Sequence, residues 1–283
     1  MYRGPAWEGL VLPYEQVNKG KLEFLFVHDA LKYLSKCRRL ERLELINVGG
    51  VNENAEEPPP LNSGIRFLSV RASDQVNLTS IFEYTTLPQL CTIDISGKNG
   101  YPSTHWPTCD FTPIHECLLR SSCTITTFHL KWLPTSDEQV LSLLRIMPAL
   151  EVLQIDEIPF QYSPMAFEPE VYKYNNRIVT PTFLTHLAVM DRDSRIRSSF
   201  LPRLKELSLC IRAEEAIDSE ALLHVITTRG LHHRDVGVSA LTSFELTVMA
   251  NGEPHASFGP VREVIETFRS VGQLRAKMLV IQV

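Results

Sequence analysis

Three stretches of the chain carry nearly the same phrase: "LPQLCTIDIS" from Leu87, "MPALEVLQID" from Met147 and "LPRLKELSLC" from Leu201. Each is an aliphatic residue, a proline, any residue, then Leu-x-x-aliphatic-x-aliphatic. Repetition at long intervals marks a stacked architecture, in which each unit buries its apolar face only against its neighbours.

The bare aliphatic-x-x-aliphatic-x-aliphatic pattern begins at Leu22, Leu40, Ile65, Leu90, Ile125, Leu150, Leu184, Leu204 and Leu241. Successive starts average about 27 residues apart, within the roughly 20–29 of a leucine-rich repeat. So short a pattern also arises by chance, and the segments around it carry the signal. Before Leu150, Ser136 is followed three residues later by Gln139, a capping-box signature, and Val140, Leu141, Leu144 and Met147 recur at helical spacing. Before Ile125, Thr112 and Pro113 introduce "IHECLLRSSC", with Pro113 expected at the first helical position. "HDALKYLSKC" precedes Leu40 and "NLTSIFEY" precedes Leu90. Each unit reads helix, tight turn, short strand.

That order predicts an α/β leucine-rich-repeat solenoid: an irregular horseshoe with a parallel concave sheet and convex helices. The first, fourth and sixth motif residues point into the core, and those between them alternate outward. The proline of each phrase is expected to stop the helix ahead of the strand. Residues 1–21 read as an N-terminal lead-in and 22–283 as the repeat domain. Within it, 47–64 is an inserted acidic, proline-rich loop, and 260–283 is a helix-strand cap starting at Pro260. Further loops span Ser96 to Asp110 and the stretch after Ser163.

The chain resembles the leucine-rich-repeat region of the large F-box-like protein families of mushroom-forming fungi. The residues that carry the likeness are "CLLRSSCTITTFHLKWLPTSDEQVLSLLRIMPALEVLQIDE" (Cys117 to Glu157), "VTPTFLTHLAV" (Val179 to Val189), "FLPRLKELSL" (Phe200 to Leu209) and the closing "VREVIETFRSVGQLRAKMLVIQV". The resemblance implies an N-terminal F-box that grips a ubiquitin-ligase adaptor and repeats that recognise a target protein. The sequence departs from it twice. "LPYEQV" at Leu12 has an F-box-like opening but runs straight into a strand-like stretch, so an adaptor contact would need an F-box supplied by a longer chain. The Asn or Cys of the ninth repeat position is replaced by Val48, Lys98, Leu133, Ile158 and Arg212, which removes the side-chain ladder of a regular arc.

Composition bounds the alternatives. A net charge of −5 offers no electrostatic case for nucleic acid, and "KCRRLER" and "RDSRIR" read as solvated faces. No run approaches the length of a membrane span, and no signal peptide opens the chain. Six scattered cysteines read as free thiols in a reducing cytoplasm or nucleus. The sequon at Asn77 reads as accidental. No phosphate-binding glycine loop, Gly-x-Ser-x-Gly elbow or His-Glu-x-x-His signature is present, so no enzymatic activity or cofactor is expected. The best metal set, Cys109, His115, Cys117 and Cys123, fails on spacing: His115 and Cys117 lie two apart on a helix and cannot easily converge. Cys117 belongs instead to a buried stripe and Cys123 to a turn. His232 and His233 read as a solvent-facing loop pair and His224 as surface.

The outward strand positions are the candidate partner-binding residues: Arg42, Glu44, Phe67, Thr127, His129, Lys131, Gln154, Asp156, His186, Met190, Glu206 and Glu245, with Phe24 and Phe26 at the first unit. Recognition of a protein partner is the leading reading. A ligase-independent scaffold or inhibitor is the second, and an enzyme with a loop-borne site around His105, Cys109 and His115 the third.

Overall fold

A computed structural model of the chain describes residues 13–50, 60–97, 108–158, 177–189, 200–212, 218–230, 237–250, 258–271 and 274–282. A 3-10 turn at Tyr14–Gln16 leads into β1 (Lys19–Glu23), α1 (Val27–Leu34), β2 (Arg42–Ile46), β3 (Leu61–Asn62) and β4 (Phe67–Ala72). Then come α2 (Gln75–Tyr84), β5 (Thr85–Thr86), β6 (Thr92–Gly97), α3 (Thr112–Ser121), β7 (Thr127–Lys131), α4 (Asp137–Leu144) and β8 (Val152–Asp156). The rest is α5 (Pro181–Leu187), β9 (Glu206–Arg212), α6 (Ser219–Gly230), β10 (Ser243–Ala250), α7 (Phe258–Val271) and β11 (Arg275–Gln282).

The chain is thus an α/β protein, and among the described residues nine principal strands form one sheet in chain order, β1-β2-β4-β6-β7-β8-β9-β10-β11. Every neighbouring pair is parallel. β3 and β5 form a separate two-residue ladder. Parallel neighbours need a crossover at each step, and the helices contact one another in sequence: α1 with α2, α2 with α3, α4 with α5, α5 with α6, α6 with α7.

Two inward residues per strand build the core. Leu43 and Leu45, Leu68 and Val70, Ile93 and Ile95, Phe128 and Leu130, Leu153 and Ile155, Leu207 and Leu209, and Phe244 and Leu246 lie at matching register positions, each fully buried. Such burial contributes on the order of 1.5–3 kcal/mol per side chain.

The recurring phrase is a β-turn. The N–H of Leu90 donates to the Leu87 carbonyl at 3.1 Å, that of Leu150 to Met147 at 3.0 Å, and that of Leu204 to Leu201 at 3.2 Å. Pro88, Pro148 and Pro202 occupy the second turn position, which their fixed φ suits. At Met147 the proline does not stop the helix, because α4 already ends at Leu144. After each turn, two successive N–H groups converge on one carbonyl of the preceding unit. Glu41 and Arg42 donate to Asn18, Arg66 and Phe67 to Glu41, Cys91 and Thr92 to Arg66, and Thr126 and Thr127 to Cys91. Glu151 and Val152 donate to Thr126, Lys205 and Glu206 to Glu151, and Thr242 and Ser243 to Lys205. A carbonyl has two lone pairs, so both donors are satisfied.

Three local readings hold. The Ser136 hydroxyl accepts from the Gln139 N–H while the Gln139 side chain accepts from the Ser136 N–H, completing the capping box. Helices stand over "DALKYL", over "NLTSIFEY" and over the whole of "SEALLHVITTRG". Cys117 lies buried on α3, its thiol 3.4 Å from the Thr85 carbonyl, and His224 is exposed on α6. At the start of α2 the Asn77 side-chain amide donates to the Ser73 hydroxyl and the Asp74 carboxylate.

Other readings are corrected. Strand β1 runs ahead of the pattern at Leu22: Leu22 pairs with Leu45, the last inward position, and Gly20 with Leu43. The glycine hides the true frame. Phe24, at φ 53°, follows the strand in left-handed geometry, and Phe26 is the N-cap of α1. The same post-strand position is left-handed at Asn47 and Trp132. "LTHLAV" at Leu184 is not a strand; Leu184 and Leu187 lie in α5, which Thr180 caps by accepting from the Phe183 N–H at 3.1 Å. Pro113 sits one place inside α3, whose first residue is Thr112 and whose leading N–H is taken by Asp110. The last helix begins at Phe258 rather than Pro260.

Candidate functional site

The outward residues of the sheet form three rows, two of which cross every strand. The first runs Lys19, Arg42, Phe67, Thr92, Thr127, Val152, Glu206, Ser243, Arg275. The second runs Lys21, Glu44, Ser69, Asp94, His129, Gln154, Ser208, Glu245, Lys277, and the third passes through Arg71, Ser96, Lys131, Asp156, Cys210 and Thr247. Alternation along each strand puts them on one side, since the residues between them are buried in the core.

Of the residues expected on this face, Arg42, Glu44, Phe67, Thr127, His129, Lys131, Gln154, Asp156, Glu206 and Glu245 are there. His186 is not: it rides on α5, with Nδ1 2.9 Å from the Thr182 carbonyl and its ring against Phe200. Phe24 and Phe26 lie beyond the end of β1, both exposed. Met190, His105, His232 and His233 lie outside the described residues.

Between β7 and β10 the face deepens into a cleft of about 380 Å³, lined among others by His129, Gln154, Asp156, Glu206, Ser208, Cys210 and Glu245. Its polar groups are partly desolvated. Burial pushes the Asp156 carboxyl above the usual carboxylate range, opposed by the Gln154 amide, whose Nε2 donates to both carboxylate oxygens at 3.2 Å. Burial lowers His129, against the pull of Asp94 and Asp156. Burial together with Asp156, Glu157 and Glu245 pushes the Cys210 thiol up to about 12, so it stays protonated. Asp94 Oδ1 is buried without a hydrogen-bond partner among the described residues. Asp94, Ser208 and Cys210 obey the same outward rule that identified the others. Cys210 was legible only as a free thiol, and nothing local marks the other two.

The remaining chemistry sits apart. Among the described residues no group of three His, Cys, Asp or Glu side chains is placed to hold a metal ion. All six cysteines are free, and burial raises Cys109, Cys117 and Cys123, the last to about 11. Gln139 Nε2 donates to the Cys109 carbonyl at 2.5 Å, and Asp110 exchanges two hydrogen bonds with Gln75, so this loop is tied to α4 and α2. Two buried charges have structural partners. Glu157 accepts from the N–H groups of Ile178 and Val179, and Arg229 donates to the carbonyls of Leu187, Phe200 and Leu201, joining α6 to the end of α5 and the next turn. No described helix is long and apolar enough to cross a membrane.

No protein-family model matches the chain, and no curated protein sequence matches it.

Proposed function

We propose that this chain is a leucine-rich-repeat solenoid whose open sheet face binds a protein partner, in the manner of the target-recognition repeats of F-box-like ubiquitin-ligase receptors. The observation that carries the reading is the set of three outward rows: one parallel sheet in chain order displays side chains from nine units together. Arrays of this kind offer broad surfaces on which a few central residues dominate binding. The arc is irregular: at the ninth repeat position Val48 and Leu133 are buried apolar residues, so packing replaces a polar ladder there. The protein works inside the cell, in cytoplasm or nucleus, without nucleic acid, membrane or cofactor.

A second reading, a scaffold or inhibitor with no ligase tether, has its own support. Tyr14 and Glu15, from the F-box-like opening, form a 3-10 turn that feeds directly into β1.

Quantitative capture from a lysate separates the two. The native chain is compared with one carrying Lys131→Glu, Asp156→Lys and Glu206→Lys. Partners held by the native chain and lost by the reversed one support face-mediated recognition; a ligase adaptor and cullin among them favour the receptor reading. Identical capture by both chains removes the face from the function.

A further inference from the structure

We propose that the cleft between β7 and β10 receives a lysine or arginine side chain from an extended basic segment of the partner protein. The proposal rests on the recognition reading and adds the chemistry of what is recognised.

Charge is partitioned along the face. On β6 to β10 stand four carboxylates, Asp94, Asp156, Glu206 and Glu245, against two cations, Lys131 and Arg212, neither of which lines the cleft. On β1 to β4 the balance reverses, with Lys19, Lys21, Arg42 and Arg71 against Glu23 and Glu44. Those cations are partly engaged: Lys21 pairs with Glu23 at 2.5 Å, and the Arg42 guanidinium stacks 3.8 Å from the Phe67 ring centroid.

The cleft carboxylates are less well served. Among the described residues Asp156 accepts hydrogen bonds only from the neutral Gln154 amide, with Lys131 acting on it through space but forming no ion pair, and Glu206 has no ion pair. Glu245 alone meets a lysine, Lys277 at 3.4 Å. His129, between Asp94 and Gln154, supplies no compensating charge, because burial favours its neutral form. The cleft therefore presents more acceptors than donors in a partly desolvated recess. A guanidinium brings five N–H donors and an ammonium three, each with the missing charge. The cleft's volume falls in the range of a ligand pocket. It spans four strands, about 14 Å at the usual strand spacing, room for an extended segment to lie across the rows while one side chain enters.

Random linear peptides displayed on phage and selected on the full chain supply the probe. The enriched peptides should share a Lys or Arg. A synthetic copy should lose at least about tenfold in affinity on Asp156→Asn or Glu206→Gln, gain on Lys131→Gln, and weaken with added salt. Unchanged thermal midpoints show that the variants fold, and Lys131→Gln serves if an acidic-site variant does not. On binding, the His129 ring resonances should shift. Enriched peptides without a basic residue, yet lost on the face substitutions, overturn this proposal and leave the recognition reading standing. Peptides indifferent to every face substitution overturn both. No enrichment at all, with or without binding of the polyamine spermidine at His129, overturns the proposal alone.

Discussion

"LEVLQI" at Leu150 and "LTHLAV" at Leu184 satisfy the same apolar pattern, yet the first enters a strand and the second lies on a helix. The difference sits upstream. Before Leu150 the proline is two residues away and closes a β-turn whose Leu150 N–H returns to Met147. Before Leu184 the proline is three residues away, follows Thr180, and begins α5 with the Thr180 hydroxyl capping Phe183. A threonine followed by proline at the first helical position is a helix start. Apolar residues at i and i+3 fit a helix as well as a strand entry, so the pattern alone cannot separate them. Proline spacing does.

The largest expected effect tests the strand side of this contrast. Leu153 is fully buried and Gln154 faces out. Leu153→Ala should destabilise by about 2–5 kcal/mol, whereas Gln154→Ala should change a urea midpoint little. Equal losses would put the strand on the wrong face.

A smaller effect concerns the outward charge that only the strand provides. The folded pKa of Asp156 lies above its ordinary value of 3.8, so ionisation opposes folding. That penalty is complete above the raised pKa and disappears below 3.8, where both states hold the proton. Asp156→Asn should therefore be more stable than the native chain at neutral pH. The advantage should fade as pH falls through this window, as denaturation curves at several pH values would reveal. An advantage independent of pH would detach it from the carboxylate.

The smallest effect compares two exposed or half-exposed threonines. Thr185→Ala, on α5, should add about 0.5 kcal/mol, because alanine is the better helix former. Thr127→Ala, on β7, should subtract a similar amount. Changes of the same sign in thermal melts would erase the distinction between the two segments.

Much of the architecture was legible because its signals are local. Period-two burial located seven of the nine main strands, and the Ser136–Gln139 pair located α4. The first strand was legible, but its frame escaped because Gly20 stands where other units place an apolar side chain. The face rows were legible by alternation, and ten of the proposed residues stand in them. The cleft was not, since its depth depends on how β7 to β10 sit together and on desolvation around Asp156 and His129. Nor does the sequence near Arg229 announce a buried guanidinium; its carbonyl partners lie 28 to 42 residues away.

The carbonyl that receives two N–H groups at each strand entry has a consequence for how such a chain can change. From Asn18 through Glu41, Arg66, Cys91, Thr126 and Glu151 to Lys205, the acceptors lie 23 to 54 residues apart. The docking geometry is nonetheless the same at every step. A joint that fixes each strand at its first residues makes alignment indifferent to the length of the excursion between them. Segments can grow, shrink or exchange there without shifting the outward rows, so the recognition surface and the connections behind it are free to evolve at separate rates.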